Sequence, residues 1–297
     1  MRKIVLIGAD GQLGTDLVSL LKPRSDLEFV PLYWNDIDVC EHVQTREILL
    51  RHRPDVVINT SAYHRVDALE DNVPRAFEVN SIAVLHLAKL CRELDSAFVH
   101  FSTDYVFGGD RTRTTPLTET DAPAPESVYG VTKVAGEYFA RFYCPKHFVV
   151  RTCGLYGVAG SFGKGGNFVE TMIKLAQSGK PLKVVNDQRL TPTFTLDLAR
   201  KVVELAGTTA YGLYHITNRG DCTWFEFAAK IFELTGLKPE LGPQSTAQSG
   251  AKATRPGYSV FAHRALEKAG LAPLRPWPEA LREYLTLKHP ELVGRTA

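Results

Sequence analysis

An α/β fold built on a Rossmann-type, doubly wound parallel sheet, with a smaller α+β lobe attached, is what the sequence predicts. Three observations carry the prediction. Short β-branched runs alternate with amphipathic helical patterns through the first half of the chain. A glycine triplet separates the first run from the first helix. Beyond about residue 157 the strands shorten and loops multiply.

The runs are KIVLIG (3–8), EFVPLY (28–33), DVVINT (55–60), AFVHFS (97–102) and HFVVRT (147–152). Helical patterns lie between them near 12–22, 42–52, 74–94 and 128–143. Strands of this kind, joined by crossovers of ~20–40 residues, read as parallel and buried on both faces. Pro54-Asp55 ends one helix and opens the next strand. The stretch GGDRTRTTPLTETDAPAPES (108–127) has no apolar period and reads as a long surface loop. A loop of that length in a compact domain is usually functional. Further on come strands at 183–185 and 213–217 and helices near 166–178, 195–207, 223–236 and 276–287. The predicted organisation is a dinucleotide-binding domain over 1–157, to which segments near 186–215 return. A substrate-binding lobe covers 158–185 and 216–297.

Composition narrows the function. The 297 residues are 44% hydrophobic and 23% charged, with a net charge of +2. That balance argues against nucleic acid or an anionic membrane as the main partner. The five cysteines, Cys40, Cys91, Cys144, Cys153 and Cys222, include no CxxC spacing, which points to a reducing compartment. The opening MRKIVLIGADG flows into a glycine loop instead of a cleavage site, and no apolar run approaches the ~18 residues of a membrane span. A cytoplasmic protein is expected. None of the nine histidines falls in HExxH or paired-ligand spacing, so no metal is expected.

The first strand ends in GADGQLG (8–14), a GxxGxxG whose third glycine opens a helix. Such glycines allow a tight turn and close backbone approach to a pyrophosphate, with the helix N-terminus supplying free N–H groups. A plain strand–helix turn shows the same triplet, but the position at the head of a βαβ series favours dinucleotide binding. The second strand ends Leu32-Tyr33-Trp34-Asn35, with neither the acid of an NAD site nor the base of an NADP site. Asp38, just beyond, either meets an adenine edge or is a solvated loop aspartate. NADPH and NADH both stay open.

Tyr129 and Lys133, in ESVYGVTKVAGE (126–137), lie four apart and share one helix face. A phenol of pKa ~10 is a poor proton shuttle at neutral pH unless its anion is favoured, which a neighbouring ammonium does. The lysine also reaches the ribose hydroxyls of a nicotinamide cofactor, and the tyrosine then protonates an oxygen that becomes an alkoxide. YxxxK also arises on helices where the tyrosine merely packs. The segment FSTDYVF (101–107) shifts the balance, because its strand ends in Ser102-Thr103-Asp104, and ligands sit at carboxyl ends of parallel strands.

These segments resemble the dTDP-4-dehydrorhamnose reductase family, a branch of the extended short-chain dehydrogenases/reductases. The likeness continues through NTSAYHRVDALE (59–70), VNSIAVLHLA (79–88), RTCGLYG (151–157), GGNFVETMI (165–173), DQRLTPT (187–193) and LYHITNRGDCTWFEFA (213–228). It implies hydride transfer from NADPH or NADH to the C4 keto group of a dTDP-linked 6-deoxy-4-keto sugar, giving dTDP-L-rhamnose. Thr103, Tyr129 and Lys133 are then the catalytic group. Gly8, Gly11, Gln12, Leu13 and Gly14 cradle the pyrophosphate, with Asp38, Ala62 and Tyr63 along the cofactor. Asp104, Cys153, Asn167, Phe168 and Arg255 are the implied substrate contacts, alongside Thr103 and Tyr129. Asn80 is expected to tie helix to strand, and Trp224, Phe225, Phe227 and Phe232 to pack in a core. Cys153 reads as a packed thiol. The partner implied is a small nucleotide sugar, and the assembly to consider is a homodimer.

Departures from the family pattern bear on the sugar. Cys153-Gly154 stands where the family has Ser-Trp, Leu190 where it has glycine, His64 where it has threonine, and Gly108 where it has aspartate. An epimerase that recycles bound NAD, and a catalytically silent dinucleotide-binding subunit, are the alternative readings.

Overall fold

The computed structural model describes residues 1–160 and 166–293. Six parallel strands form the central sheet, in the spatial order Gly212–His215, His147–Thr152, Ala97–Thr103, Val56–Asn59, Arg2–Ile7, Leu27–Leu32. The chain goes one way from the first strand to the second and then reverses, so the switch point lies beside Arg2–Ile7. In register, Ile4 faces Val56 and Ile7 faces Asn59.

Alternation along each strand splits the core in two. Ile4, Leu6, Val56, Ile58, Val99 and Val150 point to one face, where Leu13 and Leu17 meet Leu198 and Val202. Val5, Ile7, Val57, Phe98 and Val149 point to the other, against Leu49, Leu87 and Ala88. Burial on both faces is why these strands read as continuous apolar runs.

A third apolar cluster fills the smaller lobe, where Tyr156, Val169, Phe194, Phe227, Trp277 and Tyr284 pack together. Its helices are Phe168–Gln177, Trp224–Thr235 and Trp277–Lys288. Thr223 and Glu226 form a full capping box at the start of the second of these. Strand Leu182–Val185 pairs in parallel with Leu241–Gln244, a segment whose Gly-Pro pair hides it from a strand search.

One expectation changes. The single helix expected over 74–94 is broken into Val73–Phe77, a wide π turn at Glu78–Ile82, and Ala83–Glu93. Buried Asn80 accounts for the widening. Its Oδ1 accepts the Tyr63 N–H (2.9 Å), and its Nδ2 donates to the Tyr63 carbonyl (2.9 Å) and to Thr132 Oγ1 (3.2 Å). It therefore ties the segment after the third strand to helix Val128–Tyr143. The loop 108–127 is anchored as well: Gly108 bridges to Pro125 and Leu117 to Phe261. Glu119 Oε1 accepts the N–H groups of His215 (3.2 Å) and Ala265 (3.1 Å). Among the described residues, no helix is long and apolar enough to cross a membrane.

Candidate active site

A cleft of about 800 Å³ opens at the carboxyl ends of the central strands, at the switch point. The first strand delivers Gly8, Gly11, Gln12, Leu13 and Gly14 to its wall. Helix Gln12–Leu21 starts at Gly11 with no side-chain cap and no acidic residue in its first turn. Its leading N–H groups therefore remain available to an anion. A Cβ on Gly14 would run into the carbonyl oxygen of Gly8. Gly14→Ala is expected to cost about 1–3 kcal/mol of stability through this backbone clash. Thermal melts would read that loss.

Asp38, Ala62 and Tyr63 line the same cleft. So do Thr60, Ser61, His64 and Arg65 after the third strand, and Arg75 from the helix beyond. Sequence patterns give no warning of Arg75, which pairs with Glu78 at 2.7 Å and lies 3.8 Å from Asp38.

Thr103, Asp104, Tyr129, Lys133 and Cys153 converge at the cleft's inner end. Ser127 caps helix Val128–Tyr143 by accepting the Gly130 N–H at 3.2 Å, and Glu70 Oε1 accepts the Val128 N–H at 2.9 Å. Those two bonds fix the first turn, and with it the direction of Tyr129. The Tyr105 ring meets the Tyr129 ring edge-on, with centroids 5.5 Å apart. Thr103 Oγ1 donates to Asp104 Oδ1 at 2.9 Å and accepts the Tyr105 N–H at 3.2 Å.

Electrostatics here depart from the simple expectation. The YxxxK pattern predicts a phenol eased towards its anion by Lys133. Instead, burial pushes the Tyr129 phenol up, the Thr103 hydrogen bond opposes it, and Asp104 adds to the rise. Burial likewise pulls Lys133 down to about 8, with Glu137 pulling the other way. Asp104 is pushed up by burial against hydrogen bonds from Ser259, Thr103 and Cys153. The Cys153 thiol is pushed well up by burial and by Asp104, which suits a packed hydrogen-bond donor and not a nucleophile.

Behind this end lies a buried polar network. Glu137 accepts two bonds from Arg151, Nε at 2.8 Å and Nη2 at 2.6 Å, and a third from the Ser102 hydroxyl. Both charged side chains are 1% exposed. Arg151 also lies over the Phe107 ring, 5.0 Å from its centroid.

Asn167 and Phe168 line the cleft at its outer end. The Asn167 side chain is largely committed to structure. Its Oδ1 caps the Glu170 N–H (3.1 Å), and its Nδ2 donates to the Gly157 carbonyl (3.0 Å) and the Tyr284 hydroxyl (3.2 Å). Trp224, read as core from its spacing, also lines the cleft, with its ring 4.6 Å from that of Phe168. Arg255 stands behind the cleft wall, hydrogen-bonded to the lining residue Tyr105. Asp67, on the short helix Val66–Leu69, holds its guanidinium through two bonds at 2.9 and 3.1 Å. The two main departures turn out to be neighbours. Gly154 has φ +55°, and a Cβ on it would stand 2.9 Å from Leu190 Cδ1, so Leu190 takes the room behind it.

The family model described as RmlD substrate binding domain matches residues 1–289. The spore coat polysaccharide biosynthesis protein SpsK of Bacillus subtilis is 39% identical over 285 residues, 96% of this chain and 97% of that one. A dTDP-4-keto-6-deoxy-D-glucose reductase of Streptomyces niveus is 36% identical over 95% of this chain and 96% of its own. The dTDP-4-dehydrorhamnose reductase of Bacillus anthracis, solved in complex with NADP, superposes with a TM-score of 0.91 at 36% identity, covering 97% of this chain and 100% of that one. A UDP-glucose 4-epimerase of Thermus thermophilus, at 19% identity and a TM-score of 0.81, shares the fold alone. Likeness that runs end to end, together with a glycine loop and a YxxxK helix meeting in one cleft, places the chain in the RmlD substrate binding domain family.

Proposed function

We propose that the protein is an NAD(P)H-dependent reductase of the C4 keto group of a dTDP-linked 6-deoxy sugar, taking dTDP-4-dehydrorhamnose to dTDP-L-rhamnose. One observation carries the reading: the glycine loop, the strand-end Thr103 and the Tyr129–Lys133 pair line a single cleft of about 800 Å³. The nicotinamide, when bound, supplies the hydride to the carbonyl carbon. Thr103 and Tyr129 hydrogen-bond the carbonyl oxygen, and Tyr129 gives its proton to the alkoxide that forms. A phenol held up by burial keeps that proton until the alkoxide develops, which suits the reducing direction. Lys133 holds the ribose hydroxyls, and the bare first turn at Gln12 and Leu13 binds the pyrophosphate. Phe168 and Trp224 form the aromatic wall of the nucleotide-sugar end, with Cys153 behind the sugar. The division into a cofactor domain over 1–157 with 186–215, and a substrate lobe over 158–185 and 216–297, is part of the same reading. Within that lobe, 161–165 and 294–297 lie outside the described residues, and Gly165 of the GGNFVETMI segment falls among them.

The test is oxidation of NADPH and NADH with the 4-keto sugar nucleotide generated in situ from dTDP-glucose. Stoichiometric oxidation with formation of dTDP-rhamnose is expected. Cofactor recycled without net oxidation would instead mark an epimerase, and bound cofactor without turnover a silent subunit.

The assembly we propose is a homodimer. Val131, Tyr138 and Phe142 lie on one face of helix Val128–Tyr143 and are 42%, 56% and 77% exposed, an apolar stripe that a second copy would cover. Phe142→Glu should turn a dimer into a monomer in sedimentation velocity. A species that sediments alike with and without the change would argue against this face.

A further inference from the structure

We propose that His100 is a positioning residue for Lys133, its Nε2 accepting one ammonium N–H so that the other two face the cofactor. The inference takes from the reductase reading only the role of Lys133. His100 sits on the strand that ends in Thr103, and its Nε2 lies 3.5 Å from Lys133 Nζ. Both side chains are buried, at 1% and 2% exposure. An ammonium carries three donors on a flexible four-carbon stem, and a fixed acceptor behind it sets where the rest point. The Phe98 ring, stacked on the imidazole at 6.0 Å and 22°, holds the acceptor in orientation.

An imidazole accepts at Nε2 only when neutral and protonated at Nδ1. Burial and the neighbouring Lys133 push His100 well below its ordinary value, so it stays neutral. Among the described residues Nδ1 has no hydrogen-bond partner, an uncommon state for a buried nitrogen that would otherwise take the tautomer suited to a local contact. The ring is thus set by its Lys133 side. Other groups around the amine leave this role vacant. Glu137, one turn on, is engaged by Arg151 and Ser102. Tyr129, one turn back, keeps its proton. The π turn packed on this helix brings neutral Asn80 and Ser81 to Thr132, while Glu78 turns to Arg75.

Three measurements on the full chain test the inference. In the wild type, long-range ¹⁵N spectra should show His100 as the neutral Nδ1–H tautomer, whereas an Nε2–H tautomer would overturn the proposal without any variant. In His100→Phe the ring and its stacking remain and the acceptor goes. The charged amine loses a hydrogen bond, so its titration, followed by ¹³C NMR at Lys133 Cε and assigned with Lys133→Met, should move down by about one pH unit. The alkaline fall of kcat/KM should move down with it, and KM for NADPH should rise about tenfold with kcat changing less. His100→Gln, which keeps an acceptor near the Nε2 position, should restore both. An unmoved Lys133 midpoint in His100→Phe, or a glutamine variant that behaves like the phenylalanine one, overturns the proposal. If the wild type turns nothing over, the reductase reading fails, and the NMR titration still decides the role of His100.

Discussion

Tyr129→Phe is expected to lower kcat by about 10²–10⁴-fold, the usual contribution of a positioned proton donor. Cofactor binding should be unchanged, because the ring keeps its edge-on contact with Tyr105 and only the acidic proton is lost. Single-turnover kinetics with NADPH make the check sharper. The loss should appear in the hydride-transfer step itself, since an alkoxide without a proton returns its hydride. A variant with full turnover would remove Tyr129 from the mechanism.

The second large effect is on stability. Replacing Glu137 by leucine leaves the Arg151 guanidinium buried without its carboxylate and should cost about 3–5 kcal/mol. Urea unfolding monitored by tryptophan fluorescence reads that loss as a lower midpoint. Glu137→Leu combined with Arg151→Met removes both charges and should recover most of it, because a buried ion pair is worth little more than apolar side chains of similar volume. An unshifted midpoint in the single variant would contradict the burial assigned to the pair. Activity should fall with stability here. Glu137 also accepts the Ser102 hydroxyl, one residue before Thr103, and thereby joins the strand bearing Thr103 to the helix bearing Tyr129 and Lys133.

The parts legible in the sequence share a physical cause. His147–Thr152 and Val128–Tyr143 fall where the pattern puts them, because a strand buried on both faces and a helix buried on one leave strong periodicities. The π turn left no such mark. It depends on the bonds of one Asn80 side chain to Tyr63 and Thr132, partners far off in sequence. The site divides in the same way. Gly8 to Gly14, Thr103, Tyr129 and Lys133 were readable because each must stand at a strand end or on one helix face. The Arg255–Asp67 pair was out of reach because Asp67 lies 188 residues away and nothing local announces it. Trp224 has the spacing of a core residue and is also half wall, a distinction set by which neighbour ends where. The raised Tyr129 pKa was out of reach for a related reason: desolvation belongs to the surroundings, not to a four-residue spacing.

The order of strands also shapes how the chain is made. His147–Thr152 pairs on one side with Ala97–Thr103, but its other neighbour, Gly212–His215, comes some sixty residues later, after part of the smaller lobe. A nascent chain that has emerged only as far as the YxxxK helix and the strand after it carries the cofactor half of the cleft beside an open sheet edge. Such an edge is a template for pairing with other chains. Ribosome pausing between residues 152 and 212 would prolong that exposure, and faster passage through that stretch would shorten it.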